Sequence, residues 1–356
     1  MIPQKSIEIF AGTGGVGKTT LATSRAVHLA QQGRKVLLIT IDPAKRLKQV
    51  LKIQDNESGE VKTINCRDIV DESQRETTPE ATFDALLMSP SHTLKKISEK
   101  IPDKIDLDNK ILRILTKPYG GMNEIMSIVE VQQQLNTQKY ETIVLDTPPG
   151  KHFIDFLESG QKIRKFFDKS FIEIFKYLGK SFRSSSSSKD KPGLFKSLIS
   201  SGVKKLLSYL EKVTGAEFVN IFVDAIFNIY KNKDGFLDAL RFGEDLKKRE
   251  FSNWFLVTSV EQMKVEQAKE LKEMAAKFIH EDHYLILNKC LEKPLQDWDP
   301  GQNKELIELR DSMVEREKSL KDFAQETFSQ TVEFEEVFSS SPIEHVMKSA
   351  NQWPRG

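Results

Sequence analysis

Five short apolar runs punctuate the chain, "SIEIF" (6–10), "KVLLITI" (35–41), "YETIVLD" (140–146), "NWFLVTSV" (253–260) and "HYLILN" (283–288). They are β-branched or aliphatic and largely lack the apolar/polar alternation of a sheet with one wet face. Each is therefore predicted to be a strand covered on both sides, with the helix-length segments between them as crossovers. That pattern belongs to an α/β fold built on a doubly wound, mainly parallel sheet.

The spacing of the strands is uneven. More than a hundred residues separate the third run from the fourth, far beyond a crossover helix, so this stretch is predicted to be a helical insertion. Inside it, "FFDKSFIEIFKYL" places Phe167, Phe171, Ile174, Phe175 and Leu178 on one helical face, and Asn220, Asp224 and Asn228 form a narrow polar stripe on an otherwise apolar helix. The tract "RSSSSSKDKPG" (183–193) between them reads as a mobile linker. The expected organisation is a nucleotide-fold core at 1–77, a helical insertion and return helix at 78–135, a core strand and loop at 136–152, a helical subdomain at 153–250 and the rest of the core at 251–356. Beyond Gly301 a charged helix to about Phe328, the short strand "TVEFEEV" and a last helix are predicted.

Composition narrows the function classes. Lys and Arg total 53 against 52 Asp and Glu, so no strong field exists to grip a nucleic-acid backbone, and nucleic acid is not an expected partner. Cys66 and Cys290 are the only cysteines and stand far apart, which excludes a disulfide framework or a zinc ribbon and suits a reducing cytoplasm. No export signal and no run of 18 or more apolar residues is seen, so a cytoplasmic protein whose membrane contact is at most indirect is expected. The pair His280 and His283 in an acidic turn is a weak metal signal, and His152 is a weak candidate for sensing a phosphate.

Specific chemistry is concentrated in "GTGGVGKTT" (12–20), which follows a predicted strand and opens a predicted helix. Gly12, Gly14, Gly15 and Gly17 let the backbone turn and aim its N–H groups at an oxyanion, with Thr13 and Val16 completing the loop, and the helix adds its N-terminal dipole. In such a loop Lys18 reaches the outer phosphates of ATP, the Thr19 hydroxyl ligates Mg²⁺ and Thr20 contacts an inner phosphate. Asp42 and Asp146 close two of the predicted strands, at the sheet edge where open α/β folds bind ligands. Asp146, followed by "TPPG", is placed to hold the metal, and Asp42 to orient the attacking water or help with the metal. Asn288 ends another strand and offers both donor and acceptor to a base edge.

In order along the chain, "GTGGVGKTT", "ITIDPAKRL", "GGMNEIMSIVEV", "LDTPPGKHFIDFL" and "LILNKC" resemble the deviant-Walker-A ATPases of the arsenite-pump and tail-anchored-protein-targeting family, within the MinD/ParA group. The "TIDPAKRL" turn and the "DTPP" run followed by "DFL" are most similar to its bacterial branch. The likeness implies a Mg²⁺-dependent ATP hydrolase in which Asp42 lies in switch I, Asp146 and 147–150 form switch II, and Asn288 meets the adenine edge. It also implies a dimer whose helical insertions hold a hydrophobic protein client. One departure bears on the dimer: Thr13 stands where the family pattern has a lysine that crosses to the partner's phosphates. A heterodimer with a lysine-bearing paralogue, or replacement by Lys45, Arg46 or Lys151, remains open beside the homodimer. The family's zinc-binding and arsenite-binding cysteines are missing, which argues against metalloid transport. The alternatives are a nucleotide-binding regulatory or scaffold subunit with little turnover, and a ParA/MinD-like positioning ATPase.

Overall fold

In a computed structural model of the chain, residues 2–41, 45–54, 58–99, 123–166 and 233–354 are described. Asp42, the two apolar stretches expected to be helices and the Ser tract of the insertion lie outside these residues, as do the side chains of Lys45 and Arg46.

The five runs form strands, and three further strands join them. In chain order these are β1 (Ile7–Gly12), β2 (Val36–Thr40), β3 (Val61–Asn65), β4 (Thr82–Leu87), β5 (Thr142–Asp146), β6 (Ser252–Ser259), β7 (His283–Cys290) and β8 (Thr331–Glu335). They make one sheet in the order β3-β4-β2-β5-β1-β6-β7-β8. Every neighbouring pair is parallel except β3 against β4. All residues of β1, β2, β5 and β6 are buried, as double coverage by helices requires.

Strand β4 falls inside the stretch expected to be helical from residue 78. Its sequence, "TFDALL", is interrupted by Asp84, which hides the strand signal. Asp84 is satisfied from outside its own segment, by the Thr63 hydroxyl at 2.6 Å, Lys139 Nζ at 2.7 Å and the Tyr140 hydroxyl at 2.8 Å. Burial works to raise its pKa, but these hydrogen bonds outweigh it and hold the carboxyl below its ordinary value.

The helices named below are α1 (Lys18–Gln31), α2 (Lys45–Leu51), α3 (Cys66–Ile69), α4 (Pro90–Glu99), α5 (Asn123–Asn136), α6 (Lys151–Phe166), α7 (Lys233–Asp245), α8 (Gln262–Ala275), α9 (Glu292–Asp297), α10 (Lys304–Thr327) and α11 (Pro342–Ala350). Two compact units result. One holds residues 1–89, 130–157 and 242–356 and contains the sheet; the other holds 90–129 and 158–241 and is helical throughout its described residues.

The core under α1 is aromatic. Phe10 of β1 packs on Phe255 of β6 with ring centroids 4.8 Å apart, and Trp353 stands edge-on to Phe10, Phe255 and Phe334. The Trp353 indole donates to Ser24 Oγ on α1 at 2.9 Å, and the Arg25 guanidinium lies over its ring. Arg25 in turn forks onto Glu8 of β1 at 2.7 and 2.9 Å, with both side chains buried. The paired geometry satisfies charges that would be costly to bury alone. The segment after α11 thus holds the middle of α1, at Ser24 and Arg25, against the sheet.

Candidate functional site

The loop between β1 and α1 is held from behind by two close approaches. A β-carbon added to Gly12 would lie 2.5 Å from the Val257 carbonyl, and one added to Gly17 would lie 2.2 Å from Asn288 Nδ2. Gly17 also has φ +89°, in the left-handed region that favours glycine. It caps α1 without any side-chain hydrogen bond, and no acidic residue stands in the first turn. The first N–H groups of α1 and the positive end of its dipole are left to an anion.

Lys18, Thr19 and Asp146 meet at the C-terminal ends of β1 and β5. Lys18 Nζ lies 2.5 Å from Asp146 Oδ1 and also donates to the Thr147 carbonyl. The Thr19 hydroxyl donates to Asp146 Oδ2 at 2.8 Å. One carboxylate therefore faces both the lysine and the hydroxyl expected to serve the phosphates and the metal. The loop after β5 is tied to the phosphate loop, since Gly150 N donates to the Gly12 carbonyl at 3.0 Å and the Thr147 hydroxyl to the Phe10 carbonyl at 2.7 Å.

Asn288 reaches the same place from β7. Its Nδ2 donates to the Val16 carbonyl at 2.9 Å, bracing the loop beside Gly17. The strand is irregular here: the register against β8 shifts between Leu287 and Cys290, and Lys289 has φ +64°. A bulge of this kind re-aims a side chain at the edge of a site.

A cavity of about 390 Å³ lies over these groups. Thr13, Gly14, Gly15, Gly17, Lys18, Thr19 and Thr20 line one side, and Thr147, Pro149 and Asn288 continue it. Gly12 and Val16, the remaining loop residues, are buried. The structure thus brings together every expected site residue except Asp42, which lies outside the described residues; β2 ends two residues before it, at Thr40. The cavity also has walls that sequence reasoning missed, namely Lys289, Glu335, Glu336, Val337, His345 and Ser349. Lys289 follows Asn288 inside the run "LILNKC", the others carry no motif, and only the order of strands brings β8 and α11 beside the loop.

The residues present fit a magnesium nucleotide. The cradle is lined by backbone, the Thr13 hydroxyl is buried with no partner among the described residues, and Thr19 and Asp146 are hard oxygen donors of the kind Mg²⁺ takes. His152 stands apart as an exposed residue 3.8 Å from Asp155, and His280 donates from Nε2 to the Ser252 carbonyl at 3.0 Å. Both cysteines are buried, and burial pushes the Cys66 thiol up to about 11 and the Cys290 thiol up to about 12.

A parallel sheet with a glycine loop and a lysine-bearing helix start at its central strand defines a P-loop nucleoside-triphosphatase fold. The sequence pattern of the anion-transporting ATPase family matches residues 5–224, and the chain belongs to that family. Among curated proteins it is similar to "ATPase get3" of Neurospora crassa, 32% identical over 167 residues covering 46% of each chain. It is also similar to "ATPase GET3" of Phaeosphaeria nodorum, 31% identical over 160 residues, covering 44% of this chain and 47% of that one. The matched region spans just under half the length of these fungal relatives.

Proposed function

We propose that the chain binds ATP with Mg²⁺ and hydrolyses it, using the nucleotide to switch between two arrangements. The observation that carries this is the meeting of Lys18, Thr19 and Asp146 beside a helix start that Gly17 caps without a side-chain hydrogen bond. With a triphosphate in the cradle, Lys18 exchanges Asp146 for phosphate oxygens. Asp146 and the Thr19 hydroxyl would hold the metal, and the bonds of Gly150 and Thr147 to β1 would couple that change to 147–150. Mg²⁺ supplies charge neutralisation at the outer phosphates. Asp42 orients the attacking water in this reading, a role that rests on the resemblance, and Asn288 serves the adenine edge from its position against Val16.

The family likeness supports extending the proposal to a cytoplasmic dimer whose helical insertion binds a hydrophobic protein client. No helix among the described residues is long and apolar enough to cross a membrane. The likeness to the bacterial branch rests on the "TIDPAKRL" and "DTPP" runs alone. Lys18→Ala is expected to lower hydrolysis by at least a hundredfold with the circular dichroism spectrum unchanged, removal of a group that stabilises transferring phosphate being worth about that much. Wild-type turnover in that variant, measured as phosphate release, would overturn the assignment.

A further inference from the structure

The phosphate loop has a second ammonium beside it that no motif announces. Lys264, in the first turn of α8, places Nζ 3.1 Å from the carbonyl of Gly14, a residue that lines the cavity. Three features set it apart from an ordinary surface lysine. Its hydrogen-bond partner is one neutral carbonyl, and no carboxylate among the described residues pairs with it. A cation in the first turn opposes the helix dipole; the nearest acid at this helix end, the N-cap Glu261, has its carboxylate bonded to the Ser259 hydroxyl at 3.0 Å rather than to Lys264. The neighbouring loop residue, Thr13, carries no charge and has a buried hydroxyl without a partner among the described residues. Lys18 is held by Asp146 and Thr147 before a nucleotide enters, Lys289 lines the cavity from the β7 side, and Lys264 is the ammonium at the Gly14 carbonyl.

Resting on the nucleotide reading above, we propose that Lys264 pairs with the terminal phosphate of bound ATP, so that one chain supplies the charge that Thr13 lacks. The lysine stem has four rotatable carbons and an ammonium that accepts any geometry of oxyanion, so release of the Gly14 carbonyl needs only a change of rotamer. A doubly charged terminal phosphate is a far stronger acceptor than a neutral amide carbonyl. The strand order makes this possible: β6 lies directly beside β1, so the helix after β6 begins next to the loop after β1.

Calorimetry on the full chain in magnesium buffer tests the pairing, with a non-hydrolysable ATP analogue and with ADP, for wild type, Lys264→Ala, Lys264→Gln and Lys264→Arg. The alanine and glutamine variants are expected to bind the ATP analogue about tenfold more weakly and ADP within about twofold of wild type, and the arginine variant to resemble wild type. Thr13→Lys on the Lys264→Ala background is expected to restore the analogue affinity. Equal losses for ADP and the analogue would mean that Lys264 only braces the loop at Gly14, and unchanged affinities would mean it does nothing; either result overturns the pairing. Wild-type chain that binds neither ligand would instead refute the nucleotide reading itself.

Discussion

At position 17 the absence of one methyl group decides whether the loop can close. The backbone is left-handed there, and Asn288 fills the space a side chain would need. Gly17→Ala combines the left-handed penalty of about 1–2 kcal/mol with a clash against a side chain that is itself hydrogen-bonded to Val16. The fold, anchored elsewhere, is expected to survive with a melting temperature a few degrees lower, while Mg·ATP binding falls below detection in calorimetry. Retained binding would show that the loop relaxes without Asn288. At the same scale, Lys18 and Thr19 share one aspartate, so loss of either affects the other through Asp146.

Among the elements, α10 shows how charge fastens a helix to the sheet edge. Its buried residues are Glu317, Leu320, Lys321 and Ala324, so half of the buried face is ionic. Lys321 meets Glu292 and Glu333 at 2.7 Å and Glu317 at 3.1 Å, while Glu317 accepts from the backbone of Leu291 and Glu292 at the start of α9. Burial alone would lower the Lys321 pKa; the three carboxylates overcome it and raise it. The hydrogen bond from Lys321 in turn holds the Glu292 carboxyl below its ordinary value of 4.5. Lys321→Met leaves these carboxylates facing one another and is expected to cost about 2–3 kcal/mol in urea unfolding at neutral pH. A carboxylate with a depressed folded pKa stabilises above its unfolded value and loses that contribution as pH falls through the folded one. The gap between wild type and variant should therefore narrow below about pH 4.5, and a constant gap would place the stabilisation elsewhere.

Across the whole molecule, the end of the described chain supports its beginning. Trp353 is 2% exposed and touches β1, β6, β8 and α1 through Phe10, Phe255, Phe334 and Ser24. Trp353→Ala is expected to destabilise the sheet-containing unit by about 3–5 kcal/mol in denaturant unfolding. Because α1 starts at Lys18, Mg·ATP affinity should weaken with it even under conditions where the variant remains folded. Normal affinity in the folded variant would mean that the loop is organised by β1 and Asn288 alone.

The residue pattern by itself determined the parallel α/β class, the five apolar strands, the loop from Gly12 to Thr20 and the place of Asp146 at a strand end. Those features are local: continuous apolar runs and glycine spacing carry their own physical reasons. Asn288 was legible as a strand-end amide, but its bond to Val16 depends on a bulge at Lys289 and on β7 lying two strands from β1. Strand β4 was illegible because Asp84 interrupts it, and its partners come from β3 and from residues 139 and 140. Only the tertiary arrangement could place Lys264, Lys289 and the 335–337 segment around the loop. Contacts between residues far apart in sequence depend on strand order, and strand order is set by how the buried faces pack together rather than by any run of neighbouring residues.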